Sequence, residues 1–397
     1  LRKNITMGDL ALYIHWPFCL SKCPYCDFNS HVRGAIDEDI WAIALMKELD
    51  HYRKLSGPRN ISSIFFGGGT PSLMSAGLVE KLLDRIARNW AMAPDVEITL
   101  EANPTSVEAG KFRDFSAAGI NRLSLGIQAL NDADLKALGR EHDMKEARQA
   151  IDLSQKYFKR SSFDLIYARM GQSLDGWERE LTEALAMAVG HLSLYQLTIE
   201  RGTAFHTDRA KGRIILPGED LSADMYDLTQ AVCDAHGLPS YEVSNHARKG
   251  EESRHNLTYW HYADYIGIGP GAHGRLEMGG KIYGFCQDRS PEKWLDNVMS
   301  RGHATAQKDF LTVQMRAEEM IMMGLRLTGG IDLQSFEKRI GQKIDKFINQ
   351  SYLQRLFELG YMEKGVYQSG YQSGDHLRAT PQGRPLLNSL LAQILAH

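Results

Sequence analysis

Three cysteines, Cys19, Cys23 and Cys26, fall within eight residues of this chain, spaced C-x3-C-x2-C in the stretch HWPFCLSKCPYCDFNS at residues 15–30. Clustered thiols of this kind point first to a metal or to redox chemistry. A structural zinc ion needs a closed shell of four ligands, so His15, His31 or Asp27 would have to complete it. A redox dithiol needs only Cys23 and Cys26 and leaves Cys19 without a role. An iron–sulfur cluster takes thiolates, normally four. With three, one iron of a [4Fe–4S] cube stays open to a ligand from outside the chain. No second C-x2-C occurs downstream to supply a fourth thiolate.

Further polar residues could serve such an outside ligand. The GGGT of residues 67–70 lets backbone approach a ligand closely, because glycine carries no Cβ. Glu101 and Asp164 offer carboxylates to an ammonium group or to ribose hydroxyls, and Gln128 is a neutral donor and acceptor. Arg140 could pair with a carboxylate in bidentate fashion. An amino acid joined to a nucleoside would satisfy the set. Taken singly, Glu101 or Arg140 reads as a surface pair or a cap; the case lies in their placement together.

That placement comes from the elements around them. Six runs rich in β-branched and large apolar residues recur up to about residue 200: LALYIHW, SSIFFGGG, VEITLEANP, RLSLGIQ, SSFDLIYA and HLSLYQLTI. Segments of helical periodicity follow them, such as residues 39–55 and 77–91. Strand-then-helix units in series predict an α/β fold with a parallel sheet and helices outside, its strands apolar on both faces. The glycines and polar residues stand directly after the strands, at the edge where such sheets bind ligands. Beyond residue 200 the pattern loosens: SYEVSNHA reads as a strand, and residues 255–275 are aromatic and glycine-rich without a clean period. From about residue 305 the chain reads helical, ending in a short hairpin and a last helix, a small winged-helix-like domain. A net charge of −3 removes the electrostatic reason to expect nucleic acid, so this domain is read as structural. Cys233 lies in an apolar-periodic segment and reads as a core residue, and no run of about eighteen apolar residues suggests a transmembrane span. A cytoplasmic protein in a reducing compartment is expected.

The cysteine motif, with Tyr25 before the last cysteine, resembles that of the radical S-adenosylmethionine superfamily. GGGTP, EANP, GIQ, GREH and DLIY, in that order, resemble the oxygen-independent coproporphyrinogen III oxidase family and its relatives. The resemblance implies a partial (β/α)6 TIM-like barrel over residues 1–240, a barrel-capping segment over 241–304 and a C-terminal helical domain over 305–397. It implies that Cys19, Cys23 and Cys26 hold a [4Fe–4S] cluster whose fourth iron is chelated by the methionyl group of S-adenosylmethionine. Tyr13 and Tyr25 would lie near that cofactor, and Gly68, Gly69 and Thr70 would line its methionyl end. Glu101 would face the amino group, Gln128 and Asp164 the ribose, and Arg140 the carboxylate. One-electron reduction of the sulfonium would then give methionine and a 5′-deoxyadenosyl radical, chemistry that belongs to the cofactor.

The family divides into an oxidase, which decarboxylates two propionates of coproporphyrinogen III, and a HemW-type group of haem chaperones, which pass haem to haemoproteins. Three features side with the chaperones. The oxidases usually carry another cysteine two residues after the third, where this chain has Phe28. They also carry an N-terminal extension of several tens of residues, whereas eighteen residues precede Cys19 here. Finally, HNLTYW at 255–260 matches a pattern associated with haem binding in the HemW-type group. By that match His255, Asn256, Tyr259 and Trp260 would contact haem, with the His255 imidazole as axial ligand. The expected partners are haem and acceptor haemoproteins; a membrane-protein client is one option, without a transmembrane segment in this chain. Ala168, Arg169 and Met170 depart from the G-L-P that usually follows DLIY, and His246 stands where relatives carry an aromatic residue.

Overall fold

The computed structural model describes residues 9–369 and 372–395. Residues 1–8 and the tip of the expected hairpin, 370–371, lie outside the described residues. Along the first half of the chain run β1 (Asp9–Trp16), β2 (Phe18–Cys19), β3 (His31–Val32), β4 (Asn60–Gly68), β5 (Ala91–Ala102), β6 (Arg122–Gln128), β7 (Arg160–Tyr167) and β8 (His191–Gln196). The second half adds β9 (Asn245–Ala247), β10 (Tyr265–Ile268), β11 (His273–Met278), β12 (Lys281–Gln287), β13 (Thr305–Phe310), β14 (Ile331–Asp332), β15 (Met362–Ser369) and β16 (Gln372–Ala379).

Eleven of these form one sheet in the order β13-β12-β11-β10-β1-β4-β5-β6-β7-β8-β9. The six runs read from the sequence are β1 and β4 to β8, adjacent and parallel, with helices in every connection. This is an open, partial barrel. β10 adds a seventh parallel strand beside β1, and antiparallel strands flank both ends of the parallel set.

The strands differ from expectation in one respect that matters for function. Successive side chains alternate between faces. One row, including Leu10, Leu12, Ile14, Ile64, Phe66 and Leu100, packs into the main apolar core with the helices. The alternate row is mostly polar: Tyr13 and His15 on β1, Ser63 on β4, Glu97, Thr99 and Glu101 on β5, Arg122 and Ser124 on β6, Ser162 and Asp164 on β7. Cross-strand bonds knit it together, as Arg122 to Ser162 (3.2 Å) and Ser124 to Ser162 (3.1 Å). The interior of the barrel is therefore a polar lumen, and the strands are not apolar on both faces.

The chain after residue 240 also departs from the reading. Residues 241–304 do not form a separate cap, because β10 to β12 continue the main sheet. β13 does so too, placing 305–310 in the sheet and the start of the last unit after Phe310. HNLTYW is part of a helix, Arg254–Trp260, whose N-cap Ser253 accepts from the Asn256 amide. SYEVSNHA shortens to β9, because the Glu242 carboxylate accepts from the Ser244 backbone amide and the Asn245 side-chain amide in a local turn. The C-terminal unit is a three-stranded sheet, β14-β16-β15, with helices Val313–Gly324, Leu333–Ile340, Gln350–Glu358 and Leu387–Ile394 around their own apolar core.

Buried ion pairs hold this unit to the barrel. Asp264, at the entry to β10, receives Arg59 (3.0 Å) from the barrel and Arg339 (2.5 Å) from the C-terminal unit. Arg275 on β11 meets Glu319 at 2.8 Å, and the Tyr262 hydroxyl donates to the same carboxylate. Removing Asp264 would take a buried carboxylate from two guanidinium groups at once, leaving Arg59 the Asp9 carbonyl and Arg339 the Glu277 carboxylate. Asp264→Ala is expected to lower unfolding free energy by roughly 3–5 kcal/mol, the cost of breaking a buried pair, read from urea denaturation. A loss below about 1 kcal/mol would mean that the seam behaves as a surface pair.

Candidate functional site

β1 runs out of the barrel at Trp16 and passes directly into the cysteine segment, where Phe18–Cys19 pairs with His31–Val32 to close the loop at its base. Within the loop the Cys26 amide donates to the Cys23 carbonyl at 3.1 Å, a turn that brings the second and third cysteines round. The neighbouring strand end is shaped to receive this segment. A Cβ on Gly69 would stand 2.6 Å from the Phe18 carbonyl oxygen, and one on Gly68, at φ +117°, would stand 2.6 Å from the His15 ring. Without those atoms, the Gly69 and Thr70 amides reach the carbonyls of Trp16 and Phe18, both at 2.8 Å. The glycines were expected to admit a ligand; they admit the cysteine segment first.

The opposite wall is the loop that carries GREH. Gly139, at φ +67°, packs where a Cβ would meet Pro24 at 2.6 Å. Arg140 follows, nearly enclosed, its Nη1 donating to Cys23 Sγ (3.2 Å) and its Nη2 to Asn103 Oδ1 (2.6 Å) and the Gly126 carbonyl (2.8 Å). His142 Nε2 donates to the Ile127 carbonyl at 3.1 Å, and burial beside Arg140 lowers its pKa to about 4.

One cavity unites these parts. Cys19, Cys23, Cys26, Tyr25, Gly68, Gly69, Thr70, Glu101, Gln128, Arg140 and Asp164 all line it. Gln128 ends β6 with φ 78°, a left-handed conformation uncommon outside glycine and frequent at functional sites. Tyr13 is set back from the cavity, its hydroxyl bonded to His15 Nδ1 at 3.0 Å. Asn103, Ser124 and Gly126 line the cavity as well and had been given no role. Asn103 stands in EANP and Gly126 in GIQ, so the motifs marked them, but neither residue titrates or ligates a metal in an obvious way. Among the described residues no three His, Cys, Asp or Glu converge on a single metal-ion position. In a cluster each thiolate takes its own iron.

The floor of the cavity is acidic and short of partners. Burial, with Asp164 nearby, raises the Glu101 pKa to about 8; its Oε2 accepts from the Gly68 amide at 3.2 Å. Burial also raises Asp164 to about 6, against the opposing pull of Ser193, Arg122, Arg140 and Ser124. Asp164 Oδ1 and Arg140 Nε are both buried without a hydrogen-bond partner. Such orphaned groups are uncommon and costly unless a ligand satisfies them. A ligand with a cationic centre, hydroxyl donors and a carboxylate would answer the two acids and the guanidinium together. The donor set therefore fits S-adenosylmethionine beside a cluster.

The expected haem residues lie elsewhere. His255 is buried below the cavity, stacked on Phe65 (centroids 5.0 Å apart), with Nδ1 bonded to Ser63 Oγ (3.0 Å) and Nε2 to the Tyr259 hydroxyl (2.7 Å). Burial lowers its pKa to about 3 and keeps the ring neutral. Trp260 sits under the Arg326 guanidinium at 5.9 Å, its indole Nε1 buried without a partner, and Asn256 is half-buried on the same helix. None of the four lines the cavity. Arg169, one of the departures from the family pattern, is also clear of it: fully buried, it pairs with Glu180 (2.5 Å) and Asp134 (2.7 Å), tying together the helices Leu174–Met187 and Asp132–Ala137. His246 is buried on β9 within 3.4 Å of Gln230 Nε2. Cys233 is buried in the core as expected, and Cys286 is a free thiol 3.6 Å from His273 Nε2.

Known proteins match this architecture along most of its length. Residues 13–183 match the radical SAM superfamily, and residues 311–386 match the HemN C-terminal domain. Over 394 residues the chain is 39% identical to the radical S-adenosyl methionine domain-containing protein 1, mitochondrial, of Bos taurus, covering 98% of this chain and 87% of that one. Over 403 residues it is 35% identical to the heme chaperone HemW of Escherichia coli strain K12, covering 99% and 100% of the two chains. The solved structure of coproporphyrinogen III oxidase (HemN) from Escherichia coli superposes with a TM-score of 0.80 at 22% identity, covering 97% of this chain and 89% of that one. Barrel and cysteine loop define a radical S-adenosylmethionine protein. Within that superfamily the chain belongs to the HemW-type family.

The contact at Gly69 can be tested without any ligand. Gly69→Ala should force the Phe18–Cys19 segment outward, lower the melting temperature and speed alkylation of Cys19, followed by mass spectrometry. Gly77→Ala, where an added Cβ meets nothing within 4 Å, should do neither. Equal alkylation rates in the two variants would mean that the glycines do not seat the cysteine segment.

Proposed function

We propose that this chain is a haem chaperone that holds a [4Fe–4S] cluster and S-adenosylmethionine in its barrel and passes haem to acceptor haemoproteins. The observation that carries this reading is near full-length similarity to proteins named heme chaperone HemW, set beside one cavity containing all three cysteines. Cys19, Cys23 and Cys26 hold the cluster, and the cofactor supplies the fourth iron's ligands and any one-electron chemistry. Glu101 and Asp164 take the cationic end and the ribose, Gln128 the ribose, and Arg140 the carboxylate. Gly68, Gly69, Thr70 and Tyr25 enclose the ligand, and Tyr13 supports the wall behind it. Five free cysteines agree with a reducing compartment, the cytoplasm in our reading. No described helix is long and apolar enough to cross a membrane.

The two buried acids give binding a pH dependence. Their raised pKa values mean that the empty site carries protons which a cationic ligand must expel. Affinity for S-adenosylmethionine should therefore rise with pH between about 6 and 8, with proton release on binding. Titration calorimetry in buffers of different ionisation enthalpy measures both. Constant affinity and no proton exchange across that range would remove Glu101 and Asp164 from the site.

Haem binding is tested by anaerobic reconstitution and separate incubation with haem and with coproporphyrinogen III. Stable haem binding without vinyl product supports the chaperone; decarboxylation would make the chain an oxidase. His255 is our proposed iron ligand, with Tyr259, Trp260 and Asn256 as its surroundings. To reach iron its Nε2 must leave the Tyr259 hydroxyl. Tyr259→Phe should thus tighten haem binding by up to about tenfold, the worth of one released hydrogen bond of roughly 0.5–1.5 kcal/mol. His255→Ala should shift or abolish the Soret band. A Soret band and affinity unchanged in both variants would make His255 a structural residue of the lumen.

A further inference from the structure

We propose that Asn103 is a positioning residue that aims two hydrogen bonds, one at Cys19 and one at Cys23, and thereby raises the reduction potential of the cluster. The inference rests on the cluster reading above and extends it to the control of electron affinity.

The geometry is a chain of bonds with a fixed direction. The Asn103 side-chain amide donates to Thr70 Oγ1 at 3.3 Å, and the Thr70 hydroxyl donates onward to Cys19 Sγ at 3.4 Å. The Asn103 carbonyl accepts from Arg140 Nη2 at 2.6 Å, and Arg140 Nη1 reaches Cys23 Sγ at 3.2 Å. Asn103 is itself held by Glu108, which takes its backbone amide at 2.9 Å and its side-chain amide at 3.4 Å. Guanidinium can only donate and carboxylate only accept, so one orientation of the Asn103 amide satisfies all its neighbours. With its lone pair engaged by Asn103, the Thr70 hydroxyl has its proton free for sulfur. The third cysteine, Cys26, has Ser30 Oγ at 3.8 Å, outside this network.

Hydrogen bonds to cluster sulfurs are among the factors that set the potential. Donors withdraw electron density from thiolate sulfur and stabilise the cluster after it gains an electron. Arg140 is the stronger donor, since it brings a full positive charge. Asn103 touches neither sulfur, yet both donors are bonded to it.

The test is a redox titration of the reconstituted protein without S-adenosylmethionine. A low-potential chemical reductant delivers the single electron, and electron paramagnetic resonance follows the reduced cluster. Thr70→Val should move the midpoint to more negative potential, and Thr70→Ser should leave it at the wild-type value. Asn103→Ala should shift it in the same direction by at least as much as Thr70→Val, since it loosens both donors. If Asn103→Ala fails to hold iron, Asn103→Asp takes its place: it keeps the acceptor for Arg140 but loses the donor to Thr70, and should also move the midpoint negative. A wild-type midpoint in the Asn103 variant at full iron content would overturn the inference, as would equal shifts in Thr70→Val and Thr70→Ser. A wild-type protein that takes up no cluster would instead overturn the reading on which the inference rests.

Discussion

The end of β4 carries no side chain for three residues, and the site above the barrel depends on that gap. β1 and β4 are paired along their length, so the cysteine segment leaving β1 must pass over the end of β4. Alanine at Gly69 would collide with the Phe18 backbone, and a side chain at Gly68 with the His15 ring. With glycine there, two backbone hydrogen bonds clamp the segment and put Thr70 within reach of Cys19. The second wall follows the same principle, since Gly139 lets its loop close on Pro24 and places Arg140 against Cys23. The thiols are thus positioned by close backbone packing.

Below this roof the barrel is lined with polar side chains, a costly arrangement unless each finds a partner. Most do: Arg160 bridges Glu97 and Glu251, and His255 is bonded through both ring nitrogens. Among the exceptions, Asp164 Oδ1 and Arg140 Nε belong to residues that line the cavity, next to a Glu101 that burial has pushed up to about 8, while Thr99 Oγ1 and His191 Nδ1 lack a partner away from it. Perturbed acids beside orphaned atoms in a cleft are the mark of a ligand site. The raised acids and the unpartnered Asp164 and Arg140 atoms mark the end of the lumen that opens on the cysteines as the candidate ligand site.

Much of this could be read from the sequence. The six parallel strands were legible because each is a short apolar run ending in glycine or polar residues. The cavity residues were legible because their motifs sit at those ends. β10 to β12 were missed because they are short, glycine-containing and interleaved with turns, and β13 because TAQKDF is polar and largely exposed, so no periodicity marks them. The polar lumen was missed although β4 reads NISSIFFGG, because alternation is blurred when both faces are buried. Asn103 escaped notice because its role is geometric. His255 shows the converse: its motif was visible, but only the fold reveals that Ser63 and Tyr259 occupy both ring nitrogens.

The central claim is that three thiolates leave one iron of a cluster open to a cationic amino-acid ligand seated on Glu101 and Asp164. Mössbauer spectroscopy of the anaerobically reconstituted, iron-57-labelled protein tests it most directly. One iron in four should differ from the rest, and S-adenosylmethionine should change the isomer shift of that iron alone. Four irons unchanged by S-adenosylmethionine, or a protein that takes up zinc and no cluster, would contradict the account.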